Sequence, residues 1–591
     1  MTRSLRIHRC SWMLAASVAV LVALTGCASI PVHGAVHQGN YEPTRDGNVG
    51  LIPPAPATDA TPESIVRGFL QAAVAGPTSP EQFSVAHEYL TAEAAETWAH
   101  NREVFILSAD PITSLLDPMA AADEHVTSVT VRATGVLVAH LDSAGTFTDK
   151  RAGVPHEAIF ELVRYEDQWR VASLPDGLIV PSAVFGTAFH VTTLYFPSPD
   201  HSFWVPDVRW FPQQTWRTNA VMSLLEGPSA HLQGAAVAVL PADSEVAVNA
   251  VTEGADGTLE VSLTDHINAV AVITRGRFEA QVRASLADGR GAVDVMLFDE
   301  SGPIVSSNVL LPSRPTVTAP AAVWREDGVY ALRSMALEPF EHEIVTTWVD
   351  YESGYTIEVV PIAIAVNPDG NQVVILDGES QLRRITDEQP TLLIEGTRLV
   401  APSIDRFNAT WTADADGPIM VVTGGNELYE LSVPWLAGRS VTSIRVSPGG
   451  ERVAVVSVGL DGAVVHVAAV LRDARAVPIA LAQPITVGNS VRSVRQAVWQ
   501  DETVLALLGT DPALGGQSVV YLAGVGGLSG AVGGLPRRID ATAGSAPVQI
   551  SAAVGTGEVL ALNAEGGLYL RHQTALWSQV GTEVLFAQFP G

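Results

Sequence analysis

The C-terminal half of the chain repeats a strand–turn–strand unit, and such a repeat restricts the fold more than any single motif. The first copy is Ala322-Val323-Trp324, a turn over 325–328, then 329–332. The second is 362–366, Asn367-Pro368-Asp369-Gly370 and 373–376; the third is 409–411, Ala413-Asp414-Ala415-Asp416-Gly417 and 419–422. The fourth is 444–446, Ser447-Pro448-Gly449-Gly450 and 453–456; the fifth is 496–499, Gln500-Asp501-Glu502 and 504–507. The sixth is 550–554, Gly555-Thr556-Gly557 and 559–562. Pro at the first corner and Gly after it supply the dihedrals that tight turns need. The second strands begin at 329, 373, 419, 453, 504 and 559, a mean step of 46 residues, which suits four-stranded propeller blades. Val453-Ala454-Val455-Val456 is apolar at every position, as a strand packed on both faces must be. The expectation is an all-β propeller of about six blades, with terminal strands offering a seventh.

At the other end, Arg3, Arg6 and Arg9 precede an apolar run from Trp12 to Leu24. The run is shorter than the roughly 20 residues that cross a bilayer, so it reads as a secretory signal. Leu24-Thr25-Gly26-Cys27 resembles the lipobox of bacterial lipoproteins. That resemblance implies cleavage before Cys27 and a diacylglycerol on its thiol. Residues 28 to about 58 are rich in Pro, Gly and Ala without helical or strand period, and read as a tether. His33 and His37 stand four apart, but Pro31 and Gly34 argue against the helix that would pair them on a metal.

Charge and composition exclude several chemistries. The chain has 63 acidic and 34 basic residues, a formal net charge of −29, and cleavage of residues 1–26 would remove three more arginines and no acid. Nucleic-acid binding rests on phosphate neutralisation by Lys and Arg, so no nucleic-acid partner is expected. An anionic lipid surface holds little attraction for such a body, and membrane attachment must come from the anchor. Cys10 lies inside the signal, which leaves Cys27 as the only cysteine beyond it and leaves no disulfide or thiolate zinc site. The one lysine, Lys150, falls in Asp149-Lys150-Arg151, read here as a loop, so a Walker A lysine is absent.

Two smaller domains are expected between tether and propeller. Thr61-Pro62-Glu63 caps a helix whose stripe is Ile65, Val66, Phe69, Leu70 and Ala73, stopped by Gly76-Pro77. A second helix and then strands at 126–141, 158–164 and 168–173 follow, with Tyr165-Glu166-Asp167 as a hairpin signal. Helices first and then an antiparallel sheet closing on Gln168-Trp169-Arg170-Val171 resembles an NTF2-like α+β cone, without an Asp/His pair at a defensible spacing. Further on, Leu194-Tyr195-Phe196, Val205 to Arg209, Leu224 to Ser229, Leu240-Pro241 and Leu259 to Thr264 follow the order of landmarks in the GerMN domain, also α+β. Phe203, Trp204, Trp210, Phe211 and Trp216 cluster there, and core packing is preferred over a sugar-stacking platform. The divisions are 1–26 signal peptide, 27–58 lipidated Cys and tether, 59–185 NTF2-like domain, 186–310 GerMN domain and 311–591 propeller.

No catalytic constellation emerges. Asp414-Ala415-Asp416-Gly417 is a turn in which Asp is common and further calcium ligands are missing. The Gly-rich 524–534 stretch does not match a dinucleotide fingerprint and reads as an inter-blade loop, and neither G-x-S-x-G nor H-E-x-x-H occurs. No catalytic, metal-binding or cofactor-binding residue is assigned; the one site is lipidation at Cys27.

Lipobox, cone, GerMN and propeller in this order resemble the LpqB lipoproteins of actinobacteria. Pro402 to Phe407 leading into Trp411, Ile444 to Val456, and Val498-Trp499-Gln500-Asp501 fit that family as well. The resemblance implies a non-enzymatic, lipid-anchored protein on the extracytoplasmic side of the cell membrane. Its implied partner is the extracellular domain of a sensor histidine kinase, in a two-component system of the MtrA–MtrB type. The alternative is an envelope glycan-binding module or cell-wall enzyme that uses the propeller or the cone cavity.

Overall fold

The structure, a computed structural model, describes residues 53–79, 82–118, 125–287, 293–315, 317, 319–340, 347–349, 356–358, 360–378, 380–385, 390–527, 534–539, 546–572 and 576–591. Cys27, the signal segment, His33 and His37 lie outside the described residues. Residues 50–591 make one compact unit, whose hydrophobic cores follow one another in chain order.

The first core lies between a helix and a sheet. Helix α1 (Pro62–Ala75) starts as the sequence indicates, with the Thr61 hydroxyl accepting from the Ser64 N–H at 3.3 Å. Its stripe of Ile65, Val66, Phe69 and Leu70 is buried against the sheet. The strands are β1 (Val104–Leu107), β2 (Ile112–Leu115), β3 (Ser128–Leu141), β4 (Phe147–Tyr165), β5 (Gln168–Ser173) and β6 (Leu178–Pro181). They are ordered β5-β4-β3-β1-β6, with β2 also on β3, and the β1–β6 pair is parallel. Glu166 and Asp167 both have positive φ, as a two-residue hairpin turn requires. The strand expected at 158–164 is in fact the end of a 19-residue strand, and Lys150 stands within it, not in a loop. Residues 149–157 are polar and largely exposed on both faces, so no period announced a strand; pairing with β3 holds it there. The last tether residues are fixed to this region, since the Tyr89 hydroxyl donates to Pro54 O at 2.7 Å.

The second core is built on β7 (Phe189–Pro197) and β8 (Trp204–Pro212), helix α2 (Trp216–Glu226), and β9 (Val248–Glu253), β10 (Leu259–Leu263), β11 (Val295–Asp299) and β12 (Gly302–Pro303). Helix α2 ends at Gly227, at φ 99°, before Pro228, as the sequence indicates. Strands β10 and β11 are parallel, so they need a crossover, which is helix α3 (Val272–Leu286). No periodicity announces α3, because its buried residues surround the helix and leave no stripe. At Gly276 a Cβ would stand 2.0 Å from Ser307 O, so only glycine permits that approach.

The third region is the propeller. Among the described residues, six sheets of four or five strands form a ring. Their inner strands are Val584–Gln588, Pro361–Val366, Ser403–Ile404, Ser440–Val446, Arg492–Trp499 and Pro547–Ala553, each packed against the next. The inner strand of the first blade is therefore the C-terminal strand, paired with Ala321–Arg325; it completes that blade and not a seventh. This corrects two of the six units read from the sequence. Those at 322–332 and 409–422 are second and third strands of their blades, whereas the other four are first and second strands. In one case the inner strand lies far along the chain, and in the other it is only two residues long, too short to show a period.

Candidate recognition surface

The second region is held together at β8 by a buried polar network. Asp207 and Arg209, two apart on β8, point to the same side of the strand. The guanidinium donates to Asp207 Oδ2 from Nη2 at 2.8 Å and from Nε at 3.2 Å, and Nη2 also donates to Gly227 O. The carboxylate accepts from Ser229 N–H at 2.9 Å and from the Ser229 hydroxyl at 2.8 Å. Both charged side chains are almost wholly buried. The pair thus ties β8 to the chain that leaves α2, which is why these landmarks recur together.

From this unit, contacts reach two turns on one rim of the propeller. Tyr195 Oη donates to Glu502 Oε2 at 3.2 Å. Arg406 pairs with Asp200 at 3.1 Å and lies over the rings of Phe203 and Phe407. Glu451 beside it is buried, which pushes its carboxyl up to about 7 against the opposing charge of Arg406. The aromatic cluster belongs to these cores: Trp204, Trp210, Phe211 and Trp216 are buried, and Phe203 is half-buried under Arg406.

The second region, through β8, and the first, through β4, are attached along blades four and five. Trp210 Nε1 donates to Gly526 O at 2.9 Å, and Gly526 and Gly527 have positive φ. A Cβ on Gly526 would meet Val208 at 2.8 Å, so the glycines there serve close backbone approach. Asp149 on β4 accepts from Ser490 N–H at 3.2 Å, and its carbonyl accepts from Asn489 Nδ2 at 2.8 Å. Burial pushes the Asp149 carboxyl up to about 6, against the lowering effect of these hydrogen bonds. Native protein therefore holds this proton between about pH 4 and 6, where the unfolded chain, with a carboxyl near 3.9, releases it. The group's contribution to stability falls as pH rises through that window, by on the order of 2 kcal/mol. Asp149→Asn should remove that slope, so urea titrations at pH 4 and 7 should differ less for the variant than for the parent.

The propeller centre is filled. Arg445, on the inner strand of the fourth blade, donates from Nη1 to Ala401 O and Pro402 O, both at 3.1 Å, and to Ile444 O at 2.8 Å. Its Nη2 donates to Gln588 Oε1 at 3.1 Å, on the first blade and thus across the ring. Burial lowers the guanidinium to about 10, which leaves it a cation at neutral pH.

The Asp414–Gly417 turn is held by its own neighbours. Asp414 Oδ2 accepts from Thr397 N–H and hydroxyl, and Asp416 pairs with Arg398. Among the described residues no group of three His, Cys, Asp or Glu side chains converges on a metal position. Sequence reasoning missed Asp207–Arg209, whose one signal was two opposite charges at strand spacing in an apolar strand. It also missed Glu103, His140 and His156, which come from three separate strands or their edges and show no common spacing.

Two family models match. "Lipoprotein LpqB, N-terminal domain" covers residues 55–186, and "Lipoprotein LpqB beta-propeller domain" covers 353–584. The chain belongs to the LpqB lipoprotein family. Lipoprotein LpqB of Bifidobacterium longum is 25% identical over 519 residues, covering 86% of this chain and 87% of that protein. The Cutibacterium acnes protein of the same name is 23% identical over 593 residues, covering 95% and 96%. For the Mycobacterium tuberculosis protein the match is 29% over 209 residues, or 35% of this chain. The LpqB propeller model begins after the strands of the first blade and ends at the first residue of the closing strand. Relatives named as lipoproteins associate the family with a membrane, and among the described residues no helix is long and apolar enough to cross one. LpqB is a name for lipoproteins, and neither model describes an enzyme.

Proposed function

We propose that this LpqB-family chain is a lipid-anchored docking body on the extracytoplasmic side of the cell membrane. Its partner is the extracellular domain of a sensor histidine kinase of the MtrA–MtrB type, and it acts by contact and not by catalysis. The observation that supports this reading is the Arg445–Gln588 bond, which crosses the centre of the ring where a propeller ligand would otherwise enter. One rim is occupied by the second region at Arg406 and Glu502. The opposite rim carries the starts of the inner strands and the next set of turns. There Val360, Ile362, Leu460, Leu514, Val548 and Leu585 are each at least 40% exposed. A diacylglycerol on Cys27 would hold the whole body near the membrane, on a tether of roughly 30 Å by square-root scaling. Confinement of both partners to one surface raises their effective concentration, so weak contacts suffice.

The test uses residues 28–591 and the isolated sensor domain in a biosensor titration. Saturable binding is expected, weakened about tenfold by Ile362→Asp with Leu585→Asp. No binding to the sensor domain, together with retention on insoluble cell-wall glycan, would overturn the reading. In cells, Cys27→Ala should abolish incorporation of labelled palmitate.

A further inference from the structure

The first region has a pocket of about 130 Å³ between α1 and the sheet, partly open to solvent. Phe69, Leu70 and Ala73 cover it from the helix, and Phe160 and Ile179 line it from β4 and β6. Packed interiors hold few voids larger than a water molecule, and each costs contacts. A pocket of this size is close to the 150 Å³ that admits benzene in an engineered core.

One end of the cavity is polar. Glu103, just before β1, is joined to His140 Nε2 through Oε2 at 3.0 Å. An ionised carboxylate has acceptor capacity beyond that one bond. His156 on β4 lies against the Phe105 ring, with centroids 4.3 Å apart. Its Nε2 is buried and has no hydrogen-bond partner. Burial and the neighbouring His140 hold this imidazole below its usual range against the pull of Glu103, so it is neutral at pH 7. A buried polar nitrogen without a partner is destabilising, and an apolar residue would avoid that cost. The charged residues lining the cavity are Glu103, Glu157 and Asp176, with no Arg or Lys among them. Asp176 is already engaged by the Ala99 N–H and Arg102.

We propose that this cavity binds a compact apolar molecule with a hydrogen-bond-donating head, an amine or an alcohol. The body fills the space under α1, and the head donates to Glu103 or to the neutral His156 Nε2. Carboxylates are excluded by the acidic lining. This ligand site is independent of the docking rim, so either proposal can fail without the other.

The experiment is calorimetric titration of residues 28–591, which contain the whole compact unit, with benzylamine, benzyl alcohol and benzoate. Saturable binding of the first two in mutual competition is expected, with benzoate weaker by about tenfold or more. Glu103→Gln should weaken benzylamine about tenfold while sparing benzyl alcohol. Ala73→Leu, which fills the cavity, should abolish both while the thermal transition stays in place. Equal affinity for benzoate, binding undiminished by Ala73→Leu in folded protein, or no saturable binding of amine and alcohol would each overturn the proposal.

Discussion

Asp207→Ala should unfold the junction behind β8, at a cost of about 3–5 kcal/mol, the range for removing one partner of a buried ion pair. The loss exceeds that of a surface pair because Arg209 remains, buried and cationic, with only the Gly227 carbonyl left of its three hydrogen bonds. Ser229 loses the acceptor of both its N–H and its hydroxyl. A double replacement of Asp207 and Arg209 by apolar residues of similar size should restore part of the loss, since no charge then stays unpaired. Urea denaturation followed by tryptophan fluorescence reads both, with Trp204, Trp210 and Trp216 close to the change. A loss below about 1 kcal/mol for Asp207→Ala, the range of an exposed pair, would show that water reaches it.

A chain ending at residue 583 should not close its propeller. The missing strand supplies Val584, Phe586 and Phe589, all buried, and Phe586 stacks on Trp324 of the first blade at 5.5 Å. At about 1.5–3 kcal/mol for each buried side chain, the loss is on the order of 5–9 kcal/mol. That is comparable with the whole stability of a typical domain, about 5–15 kcal/mol. The segment also spans three blades: Phe589 N–H donates to Ser551 Oγ at 2.8 Å and Gly591 N–H to Val366 O at 2.9 Å. The truncated chain should aggregate or be cleaved by protease within the blades, whereas the full chain yields a resistant core. Addition of a synthetic peptide of residues 584–591 should slow that cleavage. Full resistance of the truncated chain would mean the ring closes without the strand.

Much of this architecture can be read from periodicity. The stripe of α1, the Gly-then-Pro end of α2 and the repeat of apolar strands each follow from local patterns with a definite period. The elements that escaped have no period to read. Strand β4 between Asp149 and Glu157 is polar on both faces and is held by its neighbour, and α3 is buried around its circumference. The blade phase at 322–332 was misread because the deciding partner is more than 250 residues away, at Phe586 and Ala587. The polar sites were harder still. Glu103, His140 and His156 converge only through the curvature of one sheet, and Arg445 meets Gln588 only once the ring has closed.

The closing strand also sets an order of events. A chain made from its N-terminus releases residues 584–588 after every other described strand of the propeller, so five blades and most of a sixth must wait, edge exposed, for that piece. Until then Ala321–Arg325 presents an unpaired strand edge where Val584–Gln588 will lie. The propeller therefore cannot become trapped in its closed form before residues 584–588 emerge, and a chain that lacks them remains recognisable by its open edge.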